Sequence, residues 1–117
     1  MPTHQFLVNR VRRYFELKGF RVEEGFKVGN VILDLVAFRR DSLRVGIEVE
    51  RAYGGIAHGF WQLATAKAHG FEETILVIPA KVLEKVDLKP FEVYDMGVLT
   101  VSGYGTINYA FKPRSLA

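Results

Sequence analysis

The chain contains no cysteine, which excludes disulfides and thiolate metal sites and favours a reducing, cytoplasmic setting. No apolar run approaches the length of a membrane span, so no membrane association is expected. The opening residues, Met1-Pro-Thr-His-Gln5, lack the charged and apolar regions of a signal peptide. There is no internal repeat, low-complexity segment or linker, so residues 1–117 are expected to form a single domain. What is present is a globule's composition: 49% hydrophobic and 13% aromatic residues, enough to bury a core without staples. Net charge is only +3, but ten of the sixteen Lys and Arg lie at or before Arg51. That bias suits a phosphate-bearing partner, and an ordinary solvated face produces it too.

The most informative stretch runs from Asn30 to Arg51. Asn30 to Phe38 and Leu43 to Arg51 are β-branched and apolar apart from a few positions, and a short basic turn joins them, so they read as a hairpin of core strands. Core strands rarely carry ionised carboxylates, because an unpaired charge in low dielectric is costly. Yet Asp34 lies in the middle of one arm, and Glu48 and Glu50 end the other. Residues two apart share a strand face, which puts the two glutamates about 7 Å apart along it. With Asp34 alongside, three carboxylates share one patch, and Mg²⁺ or Mn²⁺ is the usual reason to hold such a patch together. The competing reading makes Glu48 and Glu50 the solvent face of an edge strand, paired with Arg39 or Arg44.

Around that hairpin, Leu7, Val8, Val11, Tyr14 and Phe15 space an amphipathic helix over Gln5–Lys18, which Gly19 stops. Phe20–Val28 reads as a first strand. Ile56–Gly70 reads as a second helix, with Ala57, Phe60, Trp61, Ala64 and Ala68 expected on its packed face and Trp61 in the core. His58, Gln62, Thr65 and His69 draw a polar stripe down its other side; His58 and His69 alone lack partners for a zinc site. Thr74–Ile78 reads as a central strand parallel to the one before the helix. Lys81–Val86 is expected to be a short helix, Phe91–Tyr94, Val98–Val101 and Tyr104–Tyr109 short strands, and the tail from Lys112 loose. The fold class is α/β, a mixed central β-sheet flanked by helices in the order α-β-β-β-α-β, followed by mostly β structure.

That order, with Asp in the second strand, Glu-x-acid at the end of the third and Gln on the following helix, resembles the PD-(D/E)XK, or restriction-endonuclease-like, nuclease superfamily. The segments Lys18-Gly-Phe20, Ile32-Leu-Asp34-Leu-Val-Ala37 and Gly46-Ile-Glu48-Val-Glu50 are similar to archaeal Holliday-junction resolvases and their small relatives. The resemblance implies a metal-dependent endonuclease or exonuclease that hydrolyses phosphodiester bonds of nucleic acid, DNA before RNA. By position, Asp34 and Glu48 would bind Mg²⁺ or Mn²⁺, the main-chain carbonyl of Val49 would be a further ligand, and Gln62 would support the site. Two positions depart from the pattern. Glu50 replaces the motif lysine, as metal ligand or general base, with Arg51 and Lys67 as other sources of positive charge. The glutamate that resolvases carry early in the first helix falls at Gln5 or Asn9. The other reading is a catalytically inactive module that binds nucleic acid or serves as a scaffold. A homodimer pairing through the glycine-rich C-terminal strands is compatible with either.

Overall fold

The first helix begins where its sequence can satisfy its own amides. The Thr3 side chain accepts from the Phe6 N–H at 3.0 Å, capping helix α1 (His4–Leu17). Leu7, Val8, Val11 and Phe15 recur at helical spacing, and all are buried. The computed structural model describes residues 2–114. After α1 come strands β1 (Arg21–Val28), β2 (Val31–Phe38) and β3 (Arg44–Val49), a 3-10 turn at Tyr53–Gly55, and helix α2 (Ile56–Ala68). Strand β4 (Glu73–Pro79), a 3-10 segment (Ala80–Lys85), the short helix α3 (Lys89–Val93), and strands β5 (Gly97–Val101) and β6 (Ile107–Phe111) complete the chain.

The strands form one six-stranded sheet in sequence order. β1, β2 and β3 pair antiparallel, β3, β4 and β5 pair parallel, and β6 returns antiparallel on β5. Helix α1 packs on one face through Leu7, Val11 and Phe15 against Leu35, Ile47, Ile75 and Leu99. Helix α2 covers the other face: Leu63 meets the cluster of Leu76, Ile78 and Val98, and Ala66 that of Leu33 and Phe71. The result is the expected mixed sheet between helices. Among the described residues, no helix is long and apolar enough to cross a membrane.

Three local expectations are corrected and one is refined. Residues 91–93 are helical rather than a strand, and Tyr94 caps them: Pro90 sits in the first turn of α3, where its fixed φ and missing N–H suit a helix start. The segment expected as a short helix is helical, in the tighter 3-10 form. Part of the tail is anchored, since Pro113 is buried against Gly97, where an added Cβ would come within 2.7 Å of its ring; residues 115–117 lie outside the described residues. Finally, α2 is rolled from its expected orientation. Gly59, Leu63 and Ala66 face the sheet, and Trp61 is 65% exposed. A glycine scores as nothing in an apolar repeat, but here its missing side chain is what lets the helix approach: a Cβ on Gly59 would lie 3.0 Å from both Leu76 Cδ1 and Glu50 Cγ.

This orientation predicts an asymmetry between two α2 residues. Leu63→Ala should lower unfolding free energy by about 2–5 kcal/mol, the range for truncating a fully buried leucine. Trp61→Ala should change it by no more than about 0.5 kcal/mol. Urea denaturation of both variants checks this, and a Trp61→Ala loss equal to that of Leu63→Ala would contradict the packing.

Candidate functional site

The site is built at a break in the sheet. The β2–β3 ladder pairs Phe38 through Leu35 with Arg44 through Ile47 and then stops. On the far side of β2, Gly25 adopts a left-handed φ of 65°, and the β1–β2 ladder has no pair between Glu24–Leu35 and Phe26–Leu33. The strand faces exchange at this level: Val22 and Leu35 belong to the core under α1, whereas Phe26 and Leu33 pack under α2. Asp34 stands at the crossing point, where a simple two-residue alternation fails.

Side-chain carboxylates take over the pairing that the backbone gives up. The Val49 N–H donates to Asp34 Oδ2 at 2.8 Å, and the Asp34 N–H donates to Glu48 Oε1 at 2.8 Å. The two acids are thereby clamped across neighbouring strands by reciprocal bonds from main-chain amides. The second oxygen of each has no hydrogen-bond donor among the described residues. Glu48 is 2% exposed. Its carboxyl is pushed up to about 8, first by burial and then by the charge of Asp34, with the Asp34 N–H opposing and Glu50 adding to the rise.

Glu50 leaves the end of β3, its N–H donating to the Val77 carbonyl at 2.9 Å. Its side chain lies against Gly55 and Gly59, and any side chain at Gly55 would collide with the carboxylate. Burial and then Asp34 raise its pKa above the usual range, while His58 and His4 pull it back. Both glycines are therefore spacers that fit Glu50 between the strand end and α2. His4, in the first turn of α1, brings Nε2 to 3.3 Å from Asp34 Oδ2. Asp34, Glu48 and Glu50 thus converge where the β2–β3 ladder stops, with His4 and His58 close by.

The remaining sequence candidates separate from this group. Gln62 donates to the Ile32 carbonyl at 3.3 Å, tying α2 to β2, and touches none of the three acids. Gln5 and Asn9 bond to each other at 2.8 Å on the exposed side of α1, and His4 is the residue of that helix that reaches the acids. Lys67 acts on buried Glu73, whereas Arg51 is exposed and makes no ion pair among the described residues. Arg39 pairs with Asp41, and Arg44 approaches Glu72, so neither neutralises Glu48 or Glu50 across the hairpin. His69 packs its ring over Gly29, away from His58. Sequence reasoning missed His4 and Gly59, and read the Gly54-Gly55 joint as a loop or a plain corner; the spacing of Gly55 and Gly59, just after an acid, was the available signal. No group of three His, Asp or Glu side chains among the described residues is arranged as a ready metal cage. What exists is a set of hard oxygen donors, two of them already locked.

No protein-family model matches the chain, and no curated protein does. Solved structures do. A protein of unknown function from Silicibacter pomeroyi, SPO1766, superposes with a TM-score of 0.73 at 14% identity, over 96% of this chain and 72% of that one. A repair endonuclease from Pyrococcus abyssi superposes with a TM-score of 0.59 at 14% identity, over 87% of this chain and 48% of its own. The chain therefore spans about half the length of that endonuclease, and the likeness is one of fold.

The clamp carries a pH signature. Glu48 keeps its proton to about pH 8 in the folded chain, whereas an unfolded glutamate releases it near pH 4.3. Stability from this group is complete below the unfolded value and is lost as pH rises through the folded one. Glu48→Gln keeps an oxygen for the Asp34 N–H and cannot ionise. Its melting temperature should gain on that of the wild type between pH 5 and pH 9; a difference independent of pH would contradict the burial of this acid.

Proposed function

We propose that the domain is a metal-dependent nuclease of the PD-(D/E)XK type that hydrolyses phosphodiester bonds, with DNA as the expected substrate. The observation that supports this most directly is the Asp34–Glu48 clamp: two carboxylates from adjacent strands, each with one oxygen held by a main-chain amide and one left over. Such a pair is a poor way to stabilise a fold, since burial and mutual repulsion raise Glu48 to about 8. It is a good way to hold a divalent cation. The donor set fits Mg²⁺ or Mn²⁺, because the donors are hard oxygens and no thiolate exists in the chain.

In this reading Asp34 and Glu48 hold the metal, with Glu50 and the Val49 carbonyl as further ligands. When bound, the cation supplies Lewis-acid stabilisation of the phosphate charge and lowers the pKa of a coordinated water. The chain supplies the rest. The amides of Asp34 and Val49 fix carboxylate orientation, so little reorganisation is needed when a phosphate arrives. Glu50 replaces the motif lysine as metal ligand or as general base; in the second role its carboxyl, raised above the usual range by burial, accepts the proton of the attacking water. His4 keeps Asp34 Oδ2 oriented from the α1 side, and Gln62 positions the helix behind the site through β2. Arg51, exposed and without an ion pair among the described residues, is free to meet phosphate.

The test uses single-stranded, duplex and branched DNA and RNA with Mn²⁺. Cleavage should occur, vanish with EDTA, and fall by about 10²-fold or more in Asp34→Asn and Glu48→Gln, the scale for losing a group that stabilises developing charge. Asn at position 34 keeps an acceptor for the Val49 N–H, so the fold should survive. Products that persist in both variants, or in EDTA, would refute the assignment; tight binding without products would favour the inactive, nucleic-acid-binding module.

A further inference from the structure

A cleft lies on the other side of the turn that holds Glu50. Tyr53, Ile56 and Phe60 form one wall, and Val86, Pro90 and Phe91 the other, around a cavity of about 470 Å³. That is within the span of about 300–1,000 Å³ usual for small-ligand sites. The two walls touch each other. Phe60 packs edge-on against Phe91 at 5.2 Å and against Tyr94 at 5.8 Å, so the cleft does not depend on one mobile ring. Tyr53, by contrast, is 55% exposed and stands at the rim. Asp87 supplies the carboxylate; its Oδ1 accepts the Lys89 N–H at 3.0 Å, and its other oxygen has no hydrogen-bond donor among the described residues.

The connection to the acids is covalent and short. Tyr53-Gly54-Gly55 is a single 3-10 turn: Tyr53 and Gly54 line the cleft, and Gly55 abuts the Glu50 carboxylate. Arg51, two residues before Tyr53, is exposed. A ligand that fits must be flat and apolar on its faces, carry N–H donors on its edge for Asp87, and be joined to a phosphate that can sit by Arg51. A nucleobase within a polynucleotide meets all of these terms. A base inside a duplex has its faces stacked and its edge paired, and cannot enter such a cleft unless it is extruded.

We infer that the cleft between α2 and the Val86–Phe91 segment receives an unpaired nucleobase next to the bond to be cut, stacked on Tyr53, so that the domain selects single-stranded or locally unpaired nucleic acid. This rests on the nuclease reading for the bond being cut, and its binding step is testable without it. Stacking is tolerant of sequence because every base presents a π-face, so the selection is for structure rather than for a motif.

The experiment measures binding in EDTA, where no metal-dependent cleavage can intervene, with oligonucleotides carrying one 2-aminopurine in single-stranded, bulged or fully paired form. The wild type should bind the unpaired forms at least about tenfold more tightly than the duplex and quench their 2-aminopurine fluorescence. Tyr53→Ala should lose about tenfold or more in affinity for the unpaired forms, little for the duplex, and the quenching; Tyr53→Phe should restore both. Circular dichroism checks the fold of these rim variants. Equal affinity for paired and unpaired forms, a Tyr53→Ala loss shared by both, or a Tyr53-dependent dimer in sedimentation would overturn the inference. If Tyr53-dependent binding is found but no Mn²⁺-dependent cleavage, the nuclease reading fails and the base site stands. If duplex is cut as well as single strands, the nuclease reading stands and the base site fails.

Discussion

The reciprocal hydrogen bonds between Asp34 and the Glu48–Val49 segment are the constraint on which the rest of the site depends. They form where the β2–β3 ladder stops, and they replace backbone acceptors by two carboxylates. A buried acid without a cation partner works against folding, and the lift of Glu48 to about 8 expresses that penalty. The main-chain amides offset part of it and fix the geometry. Everything nearby accommodates this choice: Gly25 absorbs the exchange of strand faces, Gly55 and Gly59 clear space for Glu50, and α1 begins early enough for His4 to reach Asp34.

The sheet makes the clamp possible. β3 belongs to two regimes, antiparallel with β2 and parallel with β4, and its last residues lie where the antiparallel ladder has ended while the parallel one continues through Val49 and Val77. The carboxyl ends of parallel strands are where open α/β sheets leave a crevice. Here one side of that crevice is closed by the first turn of α1, and the other by the glycine turn that leads into α2. The fold's likeness to the SPO1766 protein and to the repair endonuclease, each at 14% identity, is a likeness of this framework.

Much of this was legible in the residues. Asp34 stands out because an acid in the middle of Val-Ile-Leu-Asp-Leu-Val-Ala contradicts a plain core strand, and Glu48 and Glu50 because their spacing puts them on one face. The α1 periodicity and the apolar run of β4 were equally direct, since both are backbone repeats written in side chains. What was not legible depended on packing between elements. The roll of α2 follows from a glycine, which an apolar repeat ignores, so the repeat places Trp61 in the core although it is exposed. The resemblance places Gln62 at the site, and the same roll aims its amide at the Ile32 carbonyl. His4 precedes the helix as read from its apolar spacing, and only the Thr3 cap extends α1 far enough to include it. The strand expected at 91–94 became α3 because a proline in a first turn outweighs the β-propensity of Phe91 and Val93.

The central claim is that Asp34 and Glu48 form one cation site. A crystal soaked in Mn²⁺ at pH 8.5, above the point where Glu48 gives up its proton, addresses it directly. The anomalous difference map should show one strong peak within coordination distance of a carboxylate oxygen from each residue, about 2.0–2.3 Å for a hard-oxygen site of this kind. A map without a peak there, or with its peaks only on surface carboxylates elsewhere, would contradict the account.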